Sequence, residues 1–323
     1  MKLHENKKLF RQAVQFTAQK MNLPDIYIEK DYWVTYVLSA IFHNEIGKET
    51  IFKGGTALSK CFGYIQRFSE DIDLVMIRNH GESDGQLKNK IKKISKIVAA
   101  VLPEIEIPGL TRKRGMSRKT AHSYSKEFKA EYGQIRDVII VEATWFGHYE
   151  PYSKRQISTY IYDMMTANGQ KDLAAEYELL PFDLFVLDPR RTICEKIMSL
   201  TRFSYSENFP YDLKNKIRHI YDLHQLLKEK DLAEFFVSND FDAMLKDVAR
   251  HDLLSFRNNN NWLDFHPNES KFFANPKLIW KELKRTYLNE FKPLVYGEFP
   301  DETLVLETIE YIQKRLAAVI WDI

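Results

Sequence analysis

The chain has 323 residues, 44% apolar and 28% charged, the balance of a folded globular protein rather than a disordered or fibrous one. That length predicts two domains or one large one with ample chain for a core. Net charge is only +2, and two cysteines, Cys61 and Cys194, exclude a disulfide framework and a cysteine zinc set.

The opening MKLHENKKLFRQAVQF lacks the apolar run of a signal peptide. No apolar run approaches the length of a membrane span, so a cytoplasmic chain with no membrane partner is expected. Leu9 to Met21 and Ile26 to Phe42 read as two amphipathic helices, and Pro24 with Asp25 suits the second start. TIFKGG reads as a short strand ending at glycines, TALSKCFGY as a helix, and DIDLVMI as a strand. Lys88 to Val101 reads as a basic helix and EIEIPGL as a strand. RDVIIVEATWF, Arg136 to Phe146, is the clearest later strand. Ile157 to Asp163 and Phe182 to Leu187 read as short strands. Beyond Asp188 the pattern is helical, with Asp188 as N-cap and Pro189 at the first helical position. YDLKNKIRHIYDLHQLLKE reads as one helix, and further helices fit Asp240 to Phe256, Pro276 to Glu290 and Asp301 to Ile320. The expected fold class is α+β: a mixed sheet with flanking helices, then a helical C-terminal half. The boundary is expected near residues 165–185.

Charge is unevenly spread. Between Gly85 and Arg136 stand 13 Lys and Arg against 4 Asp and Glu, a net of +9, which leaves −7 for the rest of the chain. Such a field attracts a polyanion, or it is a solvated helix face with a charged loop; both readings stay open. The nine histidines show no ligand spacing, and His219 and His224 read as surface or packing residues. The aromatic residues mostly serve the core.

The stretch FKGGTALSKCFGYIQRFSEDIDLVMI carries the chemistry. A glycine pair between strand and helix lets backbone approach a phosphate closely. Asp71 and Asp73, two apart on a strand, point to one face. Carboxylates in an apolar run are costly unless paired or holding a cation. Two on one face suit a hard divalent cation, usually magnesium, bridging to triphosphate oxygens. Glu142, which interrupts the apolar strand VIIVEATWF, is the candidate third metal ligand. The bland alternative is a pair of solvent-facing aspartates. Lys53 and Arg67 flank the motif as bases able to reach phosphates, and Ser69 shares the face of Asp71 if the strand extends back. Lys214, Arg218 and Asp222, four apart, line one helical face.

Three segments together, IEKDYWVTYVLSAIF, the glycine–aspartate stretch and TICEKIMSL with KIRHIYDLHQLL, resemble the AbiEii/AbiGii toxin family of nucleotidyltransferases. That family lies in the polymerase-β-type superfamily and is MenT-like. The resemblance spans most of residues 26–228. It implies a nucleotidyltransferase core over residues 1–175, including the N-terminal helices, and a helical domain over 176–323 that contributes Lys196 and Asp222 to the cleft. Position by position, Gly54, Gly55 and Thr56 match the glycine motif, and Asp71 and Asp73 match the metal-binding aspartates. Lys196 matches the lysine of the EK helix, and Asp222 the aspartate of the YDL helix. His219 stands where many relatives carry aspartate. Asp71, Asp73, Lys196 and Asp222 are thus the expected catalytic residues. Gly54, Gly55, Thr56, Lys53, Ser69, Arg67 and Arg218 are the expected nucleotide-binding ones. Asp222 orients Lys196 or accepts a proton from the attacking hydroxyl, or else the two form an ordinary ion pair. Glu29, Lys30 and Asp31 match the N-terminal helix and read as holding it to the core.

The implied activity is magnesium-dependent transfer of a nucleotide from a nucleoside triphosphate to RNA, tRNA first, with the basic segment 88–119 receiving the acceptor. The implied role is a toxin of a toxin–antitoxin or phage-defence system with a cognate antitoxin. The rival readings are a metal-dependent nuclease using the same carboxylates, a protein-modifying nucleotidyltransferase of the AMPylating type, and a non-catalytic module that binds RNA or protein.

Overall fold

A computed structural model describes residues 1–113, 115–128, 136–146, 148–256 and 259–323. It falls into two compact units. The first comprises Met1–Phe62, Phe68–Trp145 and Tyr152–Val186; the second comprises Gly63–Arg67, Phe146–Pro151 and Leu187–Ile323. Among the described residues no helix is long and apolar enough to cross a membrane.

In the first unit, α1 (Lys7–Met21) starts at Asn6, whose side chain accepts from the Leu9 N–H. Helix α2 (Asp25–Phe42) is buried nearly all round and carries the charged trio Glu29, Lys30 and Asp31 into the interior. The seven-stranded sheet runs β3-β4-β5-β2-β1-β7-β6. Its strands are β1 (Thr50–Lys53), β2 (Ile72–Met76), β3 (Glu104–Ile105), β4 (Ser117–His122), β5 (Ile139–Thr144), β6 (Tyr152–Ile157) and β7 (Phe182–Leu187). β1 pairs β2 antiparallel and β7 parallel, and β2 pairs β5 parallel, so the sheet is mixed. The apolar positions of β1, β2 and β5 are buried, which is why those strands were legible as apolar runs. Helix α3 (Gly54–Ala57) runs straight on into a wider π turn, Leu58–Phe62. Helix α4 (Asp84–Val101) opens with a reciprocal capping box between Ser83 and Gln86 and buries Leu87, Ile91, Ile94 and Val98.

This unit departs from the expectations at three places, the first being EIEIPGL, of which only Glu104–Ile105 forms a strand, β3. The strand expected over Ile157 to Asp163 ends at Ile157 as β6, because the Thr159 hydroxyl caps α5 (Tyr160–Ala167) by accepting from the Tyr162 N–H. Strand β4, sequence SRKTAH, has no apolar alternation to announce it and forms because β3 and β5 flank it. Helix α6 (Lys171–Glu176) then leads to β7.

The second unit is helical. Helix α7 (Pro189–Phe203) has Asp188 as N-cap and Pro189 in its first turn, as the sequence predicts. The segment expected as one helix breaks into α8 (Tyr211–Lys214) and α9 (Ile217–Leu226). Asn215, a poor helix former, and Lys216 sit in a turn whose bonds run three residues back, Lys216 N–H to Leu213 O and His219 N–H to Lys216 O. Lys214 is therefore not on the helix of Arg218 and Asp222. Helices α10 (Lys230–Val237), α11 (Asn239–Ser255), α12 (Lys271–Ala274), α13 (Pro276–Arg285) and α14 (Glu302–Leu316) complete the unit. The segment Gly63–Arg67 joins it through a bridge between Arg67 and Val295, with the Tyr296 N–H donating to Gln66 O at 3.0 Å.

Candidate active site

In the first unit a row of charges crosses four strands. Lys53 of β1 lies opposite Asp73 of β2, Asp73 opposite Glu142 of β5, and Glu142 opposite Lys119 of β4. Residues paired directly across a sheet share a face, so the row runs +, −, −, + along one side. Glu142 is engaged there: Lys119 Nζ donates to it at 3.0 Å and Ser117 Oγ at 3.2 Å. Asp71 stands one residue before β2, two from Asp73. Burial, then repulsion from Asp71 and Glu142, pushes the Asp73 carboxyl up to about 7.

The glycine segment is built around Asp73. Gly54 has φ +83°, and a Cβ added there would lie 2.3 Å from Asp73 Oδ2. Conformation and space therefore both demand glycine. Thr56, buried, donates its hydroxyl to the backbone O of Asp71 at 2.6 Å and lies 3.0 Å from Ser69 Oγ. Gly54, Gly55, Thr56, Ser69, Asp71 and Asp73, along with Lys53, are thus gathered at one end of β1 and β2.

Among the described residues no group of three or more His, Cys, Asp or Glu side chains stands ready to hold a metal ion. Glu142 faces Asp73 from β5 with Lys119 as its partner, as Asp71 has Arg136, and the closest pair that fits a hard divalent cation is Asp71 with Asp73. They supply oxygen donors and negative charge, and a cation would relieve the repulsion that lifts Asp73.

The sequence singled out neither Arg136 as a site residue nor the pair beneath it. The Arg136 side chain rests on Asp71, with Nη1 at 3.3 Å from Oδ1. Its backbone N–H donates to Glu70 Oε1 at 2.9 Å. Its carbonyl accepts from Lys30 Nζ at 2.5 Å, and Lys30 also pairs with Glu70 at 3.1 Å. Lys30 and Glu70 are 0% and 3% exposed. Glu29 accepts from the Glu127 N–H at 2.7 Å, and burial pushes its carboxyl up to about 7. Asp31 pairs with Lys60 and accepts from the Tyr160 N–H. The trio thus ties α2 to the sheet and its neighbours. The readable signal was three adjacent charges in an otherwise apolar helix.

In the second unit Asp222 of α9 is fully buried between two cations. Arg67 forks onto it, Nε to Oδ1 at 2.6 Å and Nη2 to Oδ2 at 2.7 Å, and Lys196 Nζ of α7 reaches Oδ2 at 2.7 Å. Burial alone would raise the Asp222 carboxyl; Arg67 and Lys196 outweigh it and hold the group well below the usual carboxylate range. Arg67, expected as a base able to reach phosphates, is 4% exposed, with its guanidinium on Asp222. Arg218 is half-buried one turn before Asp222. His219 keeps Nδ1 buried, and burial followed by Lys196 and Lys216 drives its imidazole well below its ordinary value. His224, expected as surface or packing, is buried and meets the Thr308 hydroxyl at 2.7 Å.

The basic segment divides. On α4, Lys88, Lys92, Lys93 and Lys96 are exposed, away from the buried Leu87, Ile91 and Ile94. Further on the charges are largely engaged. Lys113 pairs with Glu104, Arg118 Nε donates to Ser95 Oγ at 2.7 Å, and Lys119 holds Glu142. Arg114 lies outside the described residues.

No curated protein matches the chain. The crystal structure of JHP933 from Helicobacter pylori resembles it at TM-score 0.44 and 15% identity, over 90% of this chain and 94% of that one. The pattern of the family described as "Nucleotidyl transferase AbiEii toxin, Type IV TA system" matches residues 36–315, which include Gly54, Asp71, Asp73, Lys196 and Asp222. The chain belongs to the AbiEii nucleotidyl transferase toxin family of type IV toxin–antitoxin systems.

Proposed function

We propose that this protein transfers a nucleoside monophosphate from a ribonucleoside triphosphate to an RNA acceptor, tRNA first, in a magnesium-dependent reaction that arrests growth until an antitoxin opposes it. The observation that carries the reading is the placement of Asp73 against Gly54, with Asp71 fixed alongside through Thr56. It unites a backbone able to approach phosphates with two carboxylates able to hold their counter-ion.

When bound, magnesium supplies charge neutralisation and alignment of the phosphate oxygens. The chain's own residues do the rest. Asp71 and Asp73 hold the cation. Gly54 lets the Asp73 carboxylate close on its backbone, Gly55 offers its backbone to the phosphates, and Thr56 with Ser69 keeps the Asp71 backbone in register. Lys53 acts on phosphates as a positive point charge; for Lys196 and Arg218, in the second unit, that role rests on the family resemblance. Asp222 is a positioning residue. Held far down by Arg67 and Lys196, it is a poor proton acceptor and an effective anchor for Lys196. The acceptor hydroxyl attacks the α-phosphate and releases its proton to solvent, the bond to the β-phosphate breaks, and pyrophosphate leaves. The exposed lysines of α4 suit an RNA backbone.

The test is incubation of the purified protein with each labelled triphosphate, magnesium and total RNA. Label on RNA, lost without magnesium, is expected. Label on protein would move the acceptor to a side chain, and RNA cleavage without label would replace transfer by hydrolysis.

A further inference from the structure

A buried ion pair contributes little net stability, since desolvation offsets attraction. Yet Lys30 and Glu70 are both almost wholly buried and together grip the backbone of one residue, Arg136, at its N–H and its C=O. Lys30 also donates to the Val138 carbonyl at 2.5 Å, which extends the grip into the approach to β5. The residue so fixed is half exposed, and its guanidinium lies 3.3 and 3.5 Å from the two oxygens of Asp71. Glu70 Oε1 adds a weaker contact to the same Nη1 at 3.9 Å. A backbone held at both its N–H and its C=O therefore presents a half-exposed, permanently charged side chain at a carboxylate of the proposed cation site.

From this geometry we infer that Arg136 and a divalent cation are alternative partners of Asp71, and that the guanidinium a cation displaces becomes a ligand for the substrate's phosphates. The inference rests on the proposed nucleotidyl-transfer reading and adds a substrate-binding residue to it. A divalent cation on Asp71 takes up the oxygens that now face Arg136 and, doubly charged, repels the half-exposed guanidinium, which solvent leaves free to turn away. The guanidinium cannot leave the neighbourhood, because its backbone is clamped. The nearest new anions are then the phosphate oxygens that the cation carries, for which the planar fork is well matched. Arg136 thus acts as a stand-in countercharge for Asp71 and as a gauge of whether the cation arrives with a triphosphate.

The two roles give effects of opposite sign, which a merely structural arginine would not. In Arg136→Ala the backbone bonds to Glu70 and Lys30 remain, so folding is kept, as circular dichroism and thermal melting would check. Binding of Mn²⁺ alone, followed by its paramagnetic relaxation signal, should tighten severalfold because a competitor is gone. Binding of a non-hydrolysable triphosphate with Mn²⁺, followed by calorimetry, should weaken about tenfold for the loss of one charge-assisted contact. Arg136→Lys should fall between parent and Arg136→Ala in both measurements. Triphosphate affinity unchanged or increased in Arg136→Ala overturns the inference, and so does weakened binding of Mn²⁺ alone. If the parent itself binds no triphosphate with Mn²⁺, the nucleotidyl-transfer reading fails and takes this inference with it. If the parent binds and Arg136→Ala binds equally well, only the inference falls.

Discussion

Arg67 and Asp222, 155 positions apart in the chain, meet in a two-pronged bond of 2.6 and 2.7 Å, both side chains buried. Removing the carboxylate strands two buried cations, Arg67 and Lys196, so Asp222→Ala should cost about 3–5 kcal/mol of stability as well as activity. Lys196→Ala leaves Asp222 its fork from Arg67 and should be milder in stability. Urea titration of both variants checks the order. Lys196→Ala is the cleaner test of function, and normal turnover by that folded variant would reduce the trio to packing.

The same trio fixes an acid limit. The Asp222 carboxyl is depressed in the folded chain, so its contribution to stability is complete above its unfolded value of about 3.9 and is lost as pH falls below that. Asp222→Asn should melt with a flatter dependence on pH between about 2 and 4 than the parent. Parallel curves would show that other carboxylates set the limit.

Asp71→Asn and Asp73→Asn should each keep the fold and abolish transfer, since each removes an oxygen donor from the proposed cation pair. Glu142→Gln should be gentler, because Glu142 is already engaged by Lys119 and Ser117. Initial rates at saturating magnesium decide this. A folded Asp73→Asn with near-parental transfer would remove the assignment.

Gly54→Ala and Gly81→Ala form a matched pair. Both glycines have positive φ, +83° and +80°, but only Gly54 faces an atom that a Cβ would strike. Gly81→Ala should cost about 1 kcal/mol of backbone strain and no activity. Gly54→Ala should cost more and displace Asp73, with transfer lost. Equal effects of the two on activity would mean that the approach to Asp73 is unimportant.

RNA affinity should track the α4 lysines more than the later loop. Replacing Lys88, Lys92, Lys93 and Lys96 by Ser should flatten the dependence of RNA affinity on salt, because fewer counter-ions are released. Replacing Arg112 and Lys113 should do less, as Lys113 is already paired with Glu104. An unchanged slope in the four-lysine variant would send RNA to another surface.

The apolar strands and the capped helices were readable because burial and capping leave local marks, as in IFKGG, DIDLVMI and DPRRT. Strand β4 left none, since SRKTAH owes its conformation to neighbours on both sides. The glycine–aspartate pairing was legible in type but not in closeness, for only three dimensions show Asp73 filling the space where a Gly54 side chain would be. The burial of Arg67 on Asp222 was not legible because an arginine in sequence carries no sign of a partner 155 residues away. Arg136 escaped notice for a similar reason: its clamp comes from Lys30 and Glu70, and its side-chain partner from Asp71.

The grip of Lys30 on the carbonyls of Arg136 and Val138 closes loops of 106 and 108 residues. Such closures lose chain entropy before their contacts repay it, and contacts far apart in sequence form slowly. The approach to β5 therefore acquires its native geometry only once α2 has docked from a hundred residues upstream. A newly made chain holds its glycines and aspartates early, on neighbouring strands, yet becomes competent late, when α2 closes on a strand made about a hundred residues after it.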